Sequence, residues 1–356
     1  MQELKIELTK NPKPKPEDES KLGFGKYFTD HMFMMDYTGE KGWHDARIVP
    51  YAPLMMDPSS MVLHYGQSIF EGLKAYRGVD DKVRMFRPIK NMERMNISCS
   101  RMSLPEIDPE FALSCMEKLV EIEKDWIPHS DGTSLYIRPF VFGVDHHVGV
   151  HPSDHVIFMI ICSPVGAYYP TGMNPVKIFV EDKYVRSVRG GAGFAKAAAN
   201  YALSLKSQEE AEEKHFTQVL WLDGVERRYI EEVGTMNVFF FIGDEIITPS
   251  LEGTILSGIT RMSCIEILKE WGYKVTERRI TIDELNEAWK AGQLKEAFGS
   301  GTAAVISPIG ELCWGDEQMI INGGKTGEIS QRLFDGLTGI QWGKIPDSMN
   351  WTIEVK

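Results

Sequence analysis

The segment that most constrains this chain is a glycine-rich turn followed by a lysine and small residues, Arg-Gly-Gly-Ala-Gly-Phe-Ala-Lys-Ala-Ala-Ala-Asn-Tyr at 189–201. Small neighbours leave room for a planar ring beside the amine of Lys196. Lysine forms imines with carbonyl groups, because burial or a nearby cation makes its amine nucleophilic. The segment therefore fits a lysine that carries a carbonyl cofactor. Taken alone, it fits a surface lysine at a helix start at least as well.

Two nucleotide-binding patterns that also use glycine-rich turns fail here. A dinucleotide fingerprint needs G-x-G-x-x-G between a strand and a helix, and Lys196 occupies the place of the third glycine after Gly191 and Gly193. A phosphate-binding loop needs a glycine, four free residues and then Gly-Lys-Ser/Thr, and no string in the chain has that full form. Neither nucleotide site is predicted.

Length, charge and cysteine content narrow the class of protein. The 356 residues are enough for two domains, and the net charge of −12 argues against nucleic-acid binding. The five cysteines form no C-x-x-C pair and are typical of reduced thiols in a cytoplasmic protein. The N-terminus lacks a signal-peptide pattern, and the apolar run 156–162 is too short to span a bilayer. We expect a cytoplasmic protein without a nucleic-acid or membrane partner.

Apolar periodicity and turn residues predict an α+β organisation in two domains. The first, 1–165, opens with an extended arm over 1–22 that contains the proline- and charge-rich stretch 11–21. Breakers and aromatic residues predict a linker at 166–176, and 177–356 then forms the second domain. Predicted helices cover 88–102, 108–126, 195–211 (with Lys196 in its first turn), 257–271, a helix opening at 281 and 327–337; predicted strands cover 134–144, 155–165, 176–180, 217–222 and 237–242.

A second string, Glu-Glu-Val-Gly-Thr-Met-Asn at 231–237, precedes the apolar run 238–242. An enzyme that uses pyridoxal phosphate needs a carboxylate against the pyridine nitrogen, which keeps the nitrogen protonated and the ring electron-accepting. Adjacent residues of an extended stretch point to opposite faces, so only one of Glu231 and Glu232 can reach such a ring.

Together the two strings resemble the branched-chain aminotransferases, which are fold-type IV enzymes dependent on pyridoxal 5'-phosphate. The resemblance runs from about residue 23 to 341 and rests on several separated motifs in family order. These are His-Tyr at 64–65, Phe-Glu-Gly at 70–72, Asn-Met-Glu-Arg-Met at 91–95, Tyr-Ile-Arg-Pro at 136–139, Pro-Val-Gly-Ala-Tyr at 164–168, Ser-Gly-Ile-Thr-Arg at 257–261 and Gly-Ser-Gly-Thr-Ala at 299–303. It implies a small N-terminal α+β domain and a larger C-terminal domain around a β-barrel-like core, with the cofactor between them.

The resemblance also implies the residues that hold the cofactor. Lys196 is expected to carry it as an imine and to act as general acid–base. Tyr201 is expected to donate to the phenolic oxygen of the ring, and Glu232 to face its nitrogen. The phosphate would be bound by the Arg94 guanidinium, by the backbone amides of Ile259 and Thr260 at a helix start, and by Thr302. Without the resemblance, Tyr201 would be a core-facing helical residue, and Arg94 a surface arginine paired with Glu93 or Glu106.

The substrate residues are likewise implied by family position. Phe70, Tyr136, Tyr168 and Thr235 would line the pocket, while Tyr65 and Val150 would reach it from the partner subunit of a homodimer. Thr302 and Ala303 would lie near the substrate α-carboxylate, and Arg138 would bind the distal carboxylate of glutamate. By residue type alone, such aromatic residues would ordinarily be core.

Two features of the sequence argue against a metal site and against regulation by a redox-active cysteine pair. The histidines and aspartate at 145–155 lie in a loop between strands without the spacing of a metal site, and no metal is predicted. Some members of the family carry a redox-active Cys-x-x-Cys after the Gly-Thr-Ala string, whereas 303–308 here contains no cysteine, so regulation of that kind is not expected.

The predicted activity is ping-pong transfer of the amino group of leucine, isoleucine or valine to 2-oxoglutarate. A D-amino acid aminotransferase or an aminodeoxychorismate lyase is a near alternative, against which the strings at 231–237 and 136–139 argue. A non-catalytic cofactor-binding protein is disfavoured because Lys196, Glu232, Arg94 and Tyr201 occur together. The ranking of the three amino acids, the direction in the cell and any assembly beyond a dimer do not follow from the sequence.

Overall fold

The computed structural model describes residues 3–166 and 173–356, which divide into two compact units. The first unit takes in 1–168, 195–198 and 339–356, and the second takes in 169–194 and 199–338. The mixture of helices and strands in both confirms the α+β class. The contacts assign 195–198, with Lys196, and the C-terminal 339–356 to the first unit, where the sequence suggested a single division at 166–176.

Nine strands form the sheet of the first unit within the described residues: β1 (Lys5–Ile6), β2 (His31–Thr38), β3 (Gly42–Pro50), β4 (Ser68–Phe70), β5 (Leu73–Arg77), β6 (Val83–Phe86), β7 (Ser134–Gly143), β8 (His155–Val165) and β18 (Thr352–Val355). Their order is β1-β3-β2-β8-β7-β5-β6-β18, with β4 paired to β7. Pairing of β18 with β6 explains why the C-terminus joins this unit.

One face of this sheet packs against the helices α2 (Pro88–Arg101) and α3 (Pro109–Ile122) in an apolar core. Both helices begin with proline at the first position, where the missing N–H costs nothing. The short helix α1 (Met61–Tyr65) ends at Gly66, whose positive φ of 62° suits glycine.

The second unit contains the sheet order β11-β10-β9-β16-β15-β12-β13-β14, with β17 paired to β16. Its strands are β9 (Val176–Glu181), β10 (Gln218–Leu222), β11 (Ile230–Val233), β12 (Asn237–Ile242), β13 (Glu245–Thr248), β14 (Lys274–Glu277), β15 (Leu294–Gly301), β16 (Val305–Trp314) and β17 (Glu317–Ile320). The helices that follow Lys196 are α4 (Ala198–Glu213), α5 (Ile259–Glu270), α6 (Ile282–Lys290) and α7 (Glu328–Gln341). Thr281 caps α6 as its sequence predicts, since its side chain accepts from the Glu284 N–H at 3.0 Å.

The N-terminal arm is extended and mostly exposed, but it is bound to the first unit. The backbone N–H of Lys13 donates to Asp30 Oδ1 at 2.7 Å, and its ammonium donates to the Thr29 carbonyl at 2.8 Å. Farther along, the Glu19 carboxylate accepts from the Ser130 N–H at 2.6 Å. Within the described ranges, no helix is long and apolar enough to cross a membrane.

Candidate active site

Lys196 lies in a turn of the first unit, directly before α4. The sequence prediction that it occupies the first turn of that helix is wrong, because α4 begins at Ala198. The Lys196 N–H donates to Ser98 Oγ at 2.9 Å, and its carbonyl accepts from the Phe70 N–H at 3.1 Å. These bonds fix its backbone against α2 and β4 in place of a helical turn.

An aromatic ring brings the Lys196 amine together with a second cation. The Nζ of Lys196 lies 4.8 Å from the ring centre of Phe70, and the guanidinium carbon of Arg138 lies 4.7 Å from the same centre. Arg138 Nη2 also donates to the Tyr136 hydroxyl at 3.0 Å. A Cβ at Gly72 would lie 2.0 Å from that hydroxyl, so the glycine of the Phe-Glu-Gly motif makes room for Tyr136. Four of the predicted site residues therefore share one region.

Arg94 is held by a buried carboxylate that the sequence did not identify as its partner. Its Nε and Nη2 each donate to an oxygen of Glu71 at 2.8 Å, and the Asn91 amide donates to Glu71 Oε2 at 2.8 Å. Glu93, one of the partners that the sequence offered, instead pairs with Lys90. Burial would raise the pKa of Glu71, but the Arg94 charge and hydrogen bonds outweigh it and hold that pKa below its usual value. The pair fixes the direction of the guanidinium.

In the second unit, Glu232 is a buried carboxylate that is 3% exposed. Arg186 Nη1 lies 2.8 Å from its Oε2, and the Asn237 amide donates to its Oε1 at 3.1 Å. Glu231 is also buried, and burial raises the pKa of its carboxyl. Neither Glu231 nor Glu232 is solvated, so solvent exposure does not decide which of the two would face a ring nitrogen. Arg186 was not singled out in the sequence, because it lies 46 positions before Glu232 and in no motif.

Asn237 connects Glu232 to the start of α5. Its amide also donates to the Leu256 carbonyl at 2.9 Å, and a Cβ at Gly258 would lie 2.0 Å from its Oδ1. No side chain caps α5, whose N-cap is Gly258. The first amides of the helix, those of Ile259 and Thr260, therefore lie at an N-terminus suited to an anion, fixed relative to Glu232.

The remaining predicted residues of the second unit lie in turns that adjoin β12 and β15 or at the start of α4. Thr235 is exposed in the hairpin between β11 and β12, and Asn237 pairs with Ser300 of β15. Thr302 and Ala303 follow β15 directly and are half-buried. Tyr201, also half-buried, lies in the first turn of α4.

Tyr65 and Val150 lie together on the surface of the first unit. The Tyr65 hydroxyl donates to the Val148 carbonyl at 2.6 Å, and Val150 is 81% exposed. Tyr168 lies outside the described residues. In the nearby loop His151 Nε2 lies 2.8 Å from Asp145 Oδ2, and the described ranges contain no group of three His, Cys, Asp or Glu arranged to hold a metal ion.

The family model of amino-transferase class IV matches residues 68–312. The chain belongs to this family. It is 58% identical to branched-chain-amino-acid aminotransferase 2 of Bacillus subtilis (strain 168), over 99% of this chain and 97% of the relative. The structure of the branched-chain amino acid aminotransferase of Escherichia coli superposes with a TM-score of 0.77 at 26% identity, covering 92% of this chain and 99% of that chain. The branched-chain amino acid aminotransferase of T.th., complexed with N-(5'-phosphopyridoxyl)-L-glutamate, has a TM-score of 0.76 at 26% identity, covering 94% of this chain and 99% of that chain.

Class IV aminotransferases depend on pyridoxal phosphate, and the residues of this chain fit that group. In the first unit, a lysine amine and an oriented guanidinium suit an aldehyde and a phosphate. In the second unit, taken by itself, an uncapped helix N-terminus suits a phosphate. The buried carboxylate of Glu232 suits a protonated ring nitrogen. Burial disfavours an isolated negative charge, and such a nitrogen would be a second cation beside it, in addition to Arg186.

Proposed function

We propose that this chain is a branched-chain amino acid aminotransferase, which transfers the amino group of leucine, isoleucine or valine to 2-oxoglutarate and yields branched 2-oxo acids and glutamate. The full-length similarity to branched-chain aminotransferases supports the substrate class. The observation that carries the proposal is the Phe70 region, where an apolar ring and the Arg138 cation adjoin the Lys196 amine. Such a region suits a site that accepts an apolar and an acidic side chain in turn.

Each site residue has a role that follows from its chemistry. Lys196 holds the cofactor and moves the proton of the substrate α-carbon. Arg94, the first amides of α5 and the Thr302 hydroxyl bind the phosphate. Glu232, with Arg186 behind it, keeps a proton on the ring nitrogen, and the Tyr201 hydroxyl donates to the phenolic oxygen.

The substrate-binding residues form two groups, one that contacts the substrate side chain and one that contacts its α-carboxylate. Phe70, Tyr136, Tyr168 and Thr235 contact the side chain, and Arg138 binds a distal carboxylate through a guanidinium whose Nε is buried without a hydrogen-bond partner in the described ranges. Thr302 and Ala303 orient the α-carboxylate. Bound pyridoxal phosphate supplies the electron sink that stabilises negative charge at the α-carbon, and the protein residues position that carbon beside Lys196.

We further propose a cytoplasmic homodimer in which Tyr65 and Val150 complete the pocket of the partner. Both side chains lie on an exposed surface that an isologous two-fold interface would cover. We place the domain linker near 166–176.

An amino-donor panel with the purified protein tests the function. With 2-oxoglutarate as acceptor, L-leucine, L-isoleucine and L-valine should all be amino donors, and D-amino acids should be inactive. A preference for D-alanine, or release of a lyase product without transamination, would contradict the proposal.

A further inference from the structure

The β7–β8 loop, residues 144–154, is rich in histidine and aspartate and carries the exposed Val150 near its tip. Asp145, at the base of the loop, is 8% exposed. Its carboxylate accepts from the backbone N–H of Asp154 at 2.9 Å and from that of His155 at 2.5 Å. These bonds close the base of the loop, whereas the tip needs further contacts to keep one conformation.

Two side chains bind backbone carbonyls at the tip. His151 Nδ1 lies 2.9 Å from the carbonyl oxygen of Gly149, and its Nε2 lies 2.8 Å from Asp145 Oδ2. From the end of α1, the Tyr65 hydroxyl donates to the Val148 carbonyl. The His151 ring therefore connects the tip of the loop with its base.

Both partners of the His151 ring are hydrogen-bond acceptors. A carbonyl oxygen can only accept, and a neutral imidazole has a single N–H. Burial alone would raise the pKa of the Asp145 carboxyl, but the hydrogen bonds from Asp154, His155 and His151 outweigh it and lower that pKa, so Asp145 is ionised at neutral pH. Only the imidazolium can therefore make both bonds of His151 at once. The Gly149 carbonyl and the Asp145 carboxylate accordingly raise the pKa of the ring.

We propose that His151 is a positioning residue of the active site: its doubly protonated ring holds the β7–β8 loop in the conformation in which Val150 completes the pocket of the partner subunit. This inference rests on the proposed function. A neutral ring keeps one of its two bonds and turns a lone pair toward the other oxygen, which frees the tip. Because the pKa of His151 is raised in the ordered loop, the stabilisation is fully present below the ordinary value of 6.5 and is lost as the pH rises through the raised value.

Other charged and titratable groups surround His151. Asp145 and Asp154 favour its imidazolium through their negative charge. The His147 ring packs edge-on against it, with the ring centres 4.6 Å apart. Further titratable rings lie in the loop, at the start of β8 and in α1: His146, His155 and His64. A pH response must therefore be assigned to His151 by comparison with a second histidine variant.

Inhibition by 4-methylpentanoate measures the pocket without turnover, because this branched carboxylate has no amino group to transfer. The inhibition constant of each variant is divided by that of wild type at the same pH, so that titrations common to both proteins cancel. His151→Gln should raise the constant about 3- to 10-fold at about pH 6, the effect of one lost hydrogen bond. At about pH 9, where the wild-type ring is neutral, the ratio should fall to about 1.

Two further measurements on His151 separate positioning from a general loss of structure. The kcat for leucine should change less than about twofold in His151→Gln, because the loop binds the substrate and takes no part in the chemical step. His151→Arg keeps its charge at every pH and can donate to both acceptors. It should bind the inhibitor like wild type at about pH 6 and more tightly than wild type at about pH 9.

His155→Gln is the matched control. It removes an exposed titratable ring from the same region and keeps the backbone N–H that Asp145 accepts, so its ratio should stay near 1 at both pH values. Tyr65→Phe removes the other contact of the tip, and it should raise the inhibition constant by the same factor at both pH values.

The failures of the inference and of the proposed function have different signatures. A His151→Gln ratio near 1 at about pH 6, a ratio that is the same at about pH 9, or an equal effect of His155→Gln would overturn the inference. Loss of the dimer in sedimentation together with weaker binding would also overturn it, because His151 would then act on assembly. A wild-type protein that does not transaminate leucine would instead refute the proposed function.

Discussion

The bidentate pair of Glu71 and Arg94 gives a prediction that separates a structural role from phosphate binding. Glu71→Gln keeps the shape of the side chain but removes its charge, which leaves a buried guanidinium uncompensated. Glu71 is fully buried and Arg94 is 7% exposed, so the full cost of breaking a buried ion pair, about 3–5 kcal/mol, applies to the cofactor-free protein. For a unit of this size we expect the melting temperature to fall by roughly 6–20 °C.

Bound cofactor should reduce that loss if Arg94 contacts its phosphate. The phosphate dianion would supply the negative charge that the variant lacks, so the decrease in melting temperature should be about half or less in the cofactor-saturated protein. The measurement is thermal unfolding of wild type and variant, with and without cofactor, in a buffer free of phosphate and sulfate.

Glu93→Gln is the matched control. Glu93 lies on the same helix one position before Arg94, and its partner is the exposed Lys90. Its loss should change the unfolding free energy by less than about 1 kcal/mol, with or without cofactor. An equal decrease for Glu71→Gln in both cofactor states would refute the assignment of Arg94 to the phosphate.

Glu71→Gln should also change how the unfolding free energy depends on pH in the acidic range. The folded-state pKa of Glu71 lies below its ordinary value of 4.5, so the pair stabilises the fold above that pH. This contribution is lost as the pH falls through the lowered folded-state value. The unfolding free energy of Glu71→Gln should therefore depend less on pH below about 4.5 than that of wild type. Parallel curves for the two proteins would show that the pair does not titrate in this range.

Four further variants address the remaining roles. Lys196→Ala should lose the cofactor absorbance and nearly all transamination, and borohydride reduction with peptide mapping that labels another lysine would contradict this. Glu232→Gln should lower turnover much more than cofactor occupancy, whereas Glu231→Gln should be mild; the reverse would show that the neighbouring glutamate faces the ring. Mixing Lys196→Ala chains with chains carrying Tyr65→Asp should restore activity through hybrid dimers, and a fully active monomer in sedimentation would exclude a shared site.

The sequence predicted those parts of the fold whose signals are local. The strands at 134–143, 155–165 and 237–242 follow from β-branched and apolar runs, and α2 and α3 follow from their N-terminal prolines. The start of α4 was misplaced because the alanines around Lys196 favour a helix by propensity. Instead, the Lys196 N–H donates to Ser98 Oγ and the Lys196 carbonyl accepts from the Phe70 N–H, and both partners lie about 100 or more positions away.

Motifs identified the side chains expected to meet a cofactor, but not the side chains that hold them. Glu71 belongs to the Phe-Glu-Gly motif at 70–72. The sequence does not indicate that its carboxylate pairs with the Arg94 guanidinium, because the two residues are 23 positions apart. Arg186 and Asn237 act on Glu232 in the same way from a turn and from the next strand. A buried charged side chain needs a residue of opposite charge beside it. The three-dimensional fold determines which residue that is, and its place in the sequence does not indicate it. We therefore expect substitution of Arg186 by an uncharged residue to lower turnover as strongly as Glu232→Gln does, measured in the same assay.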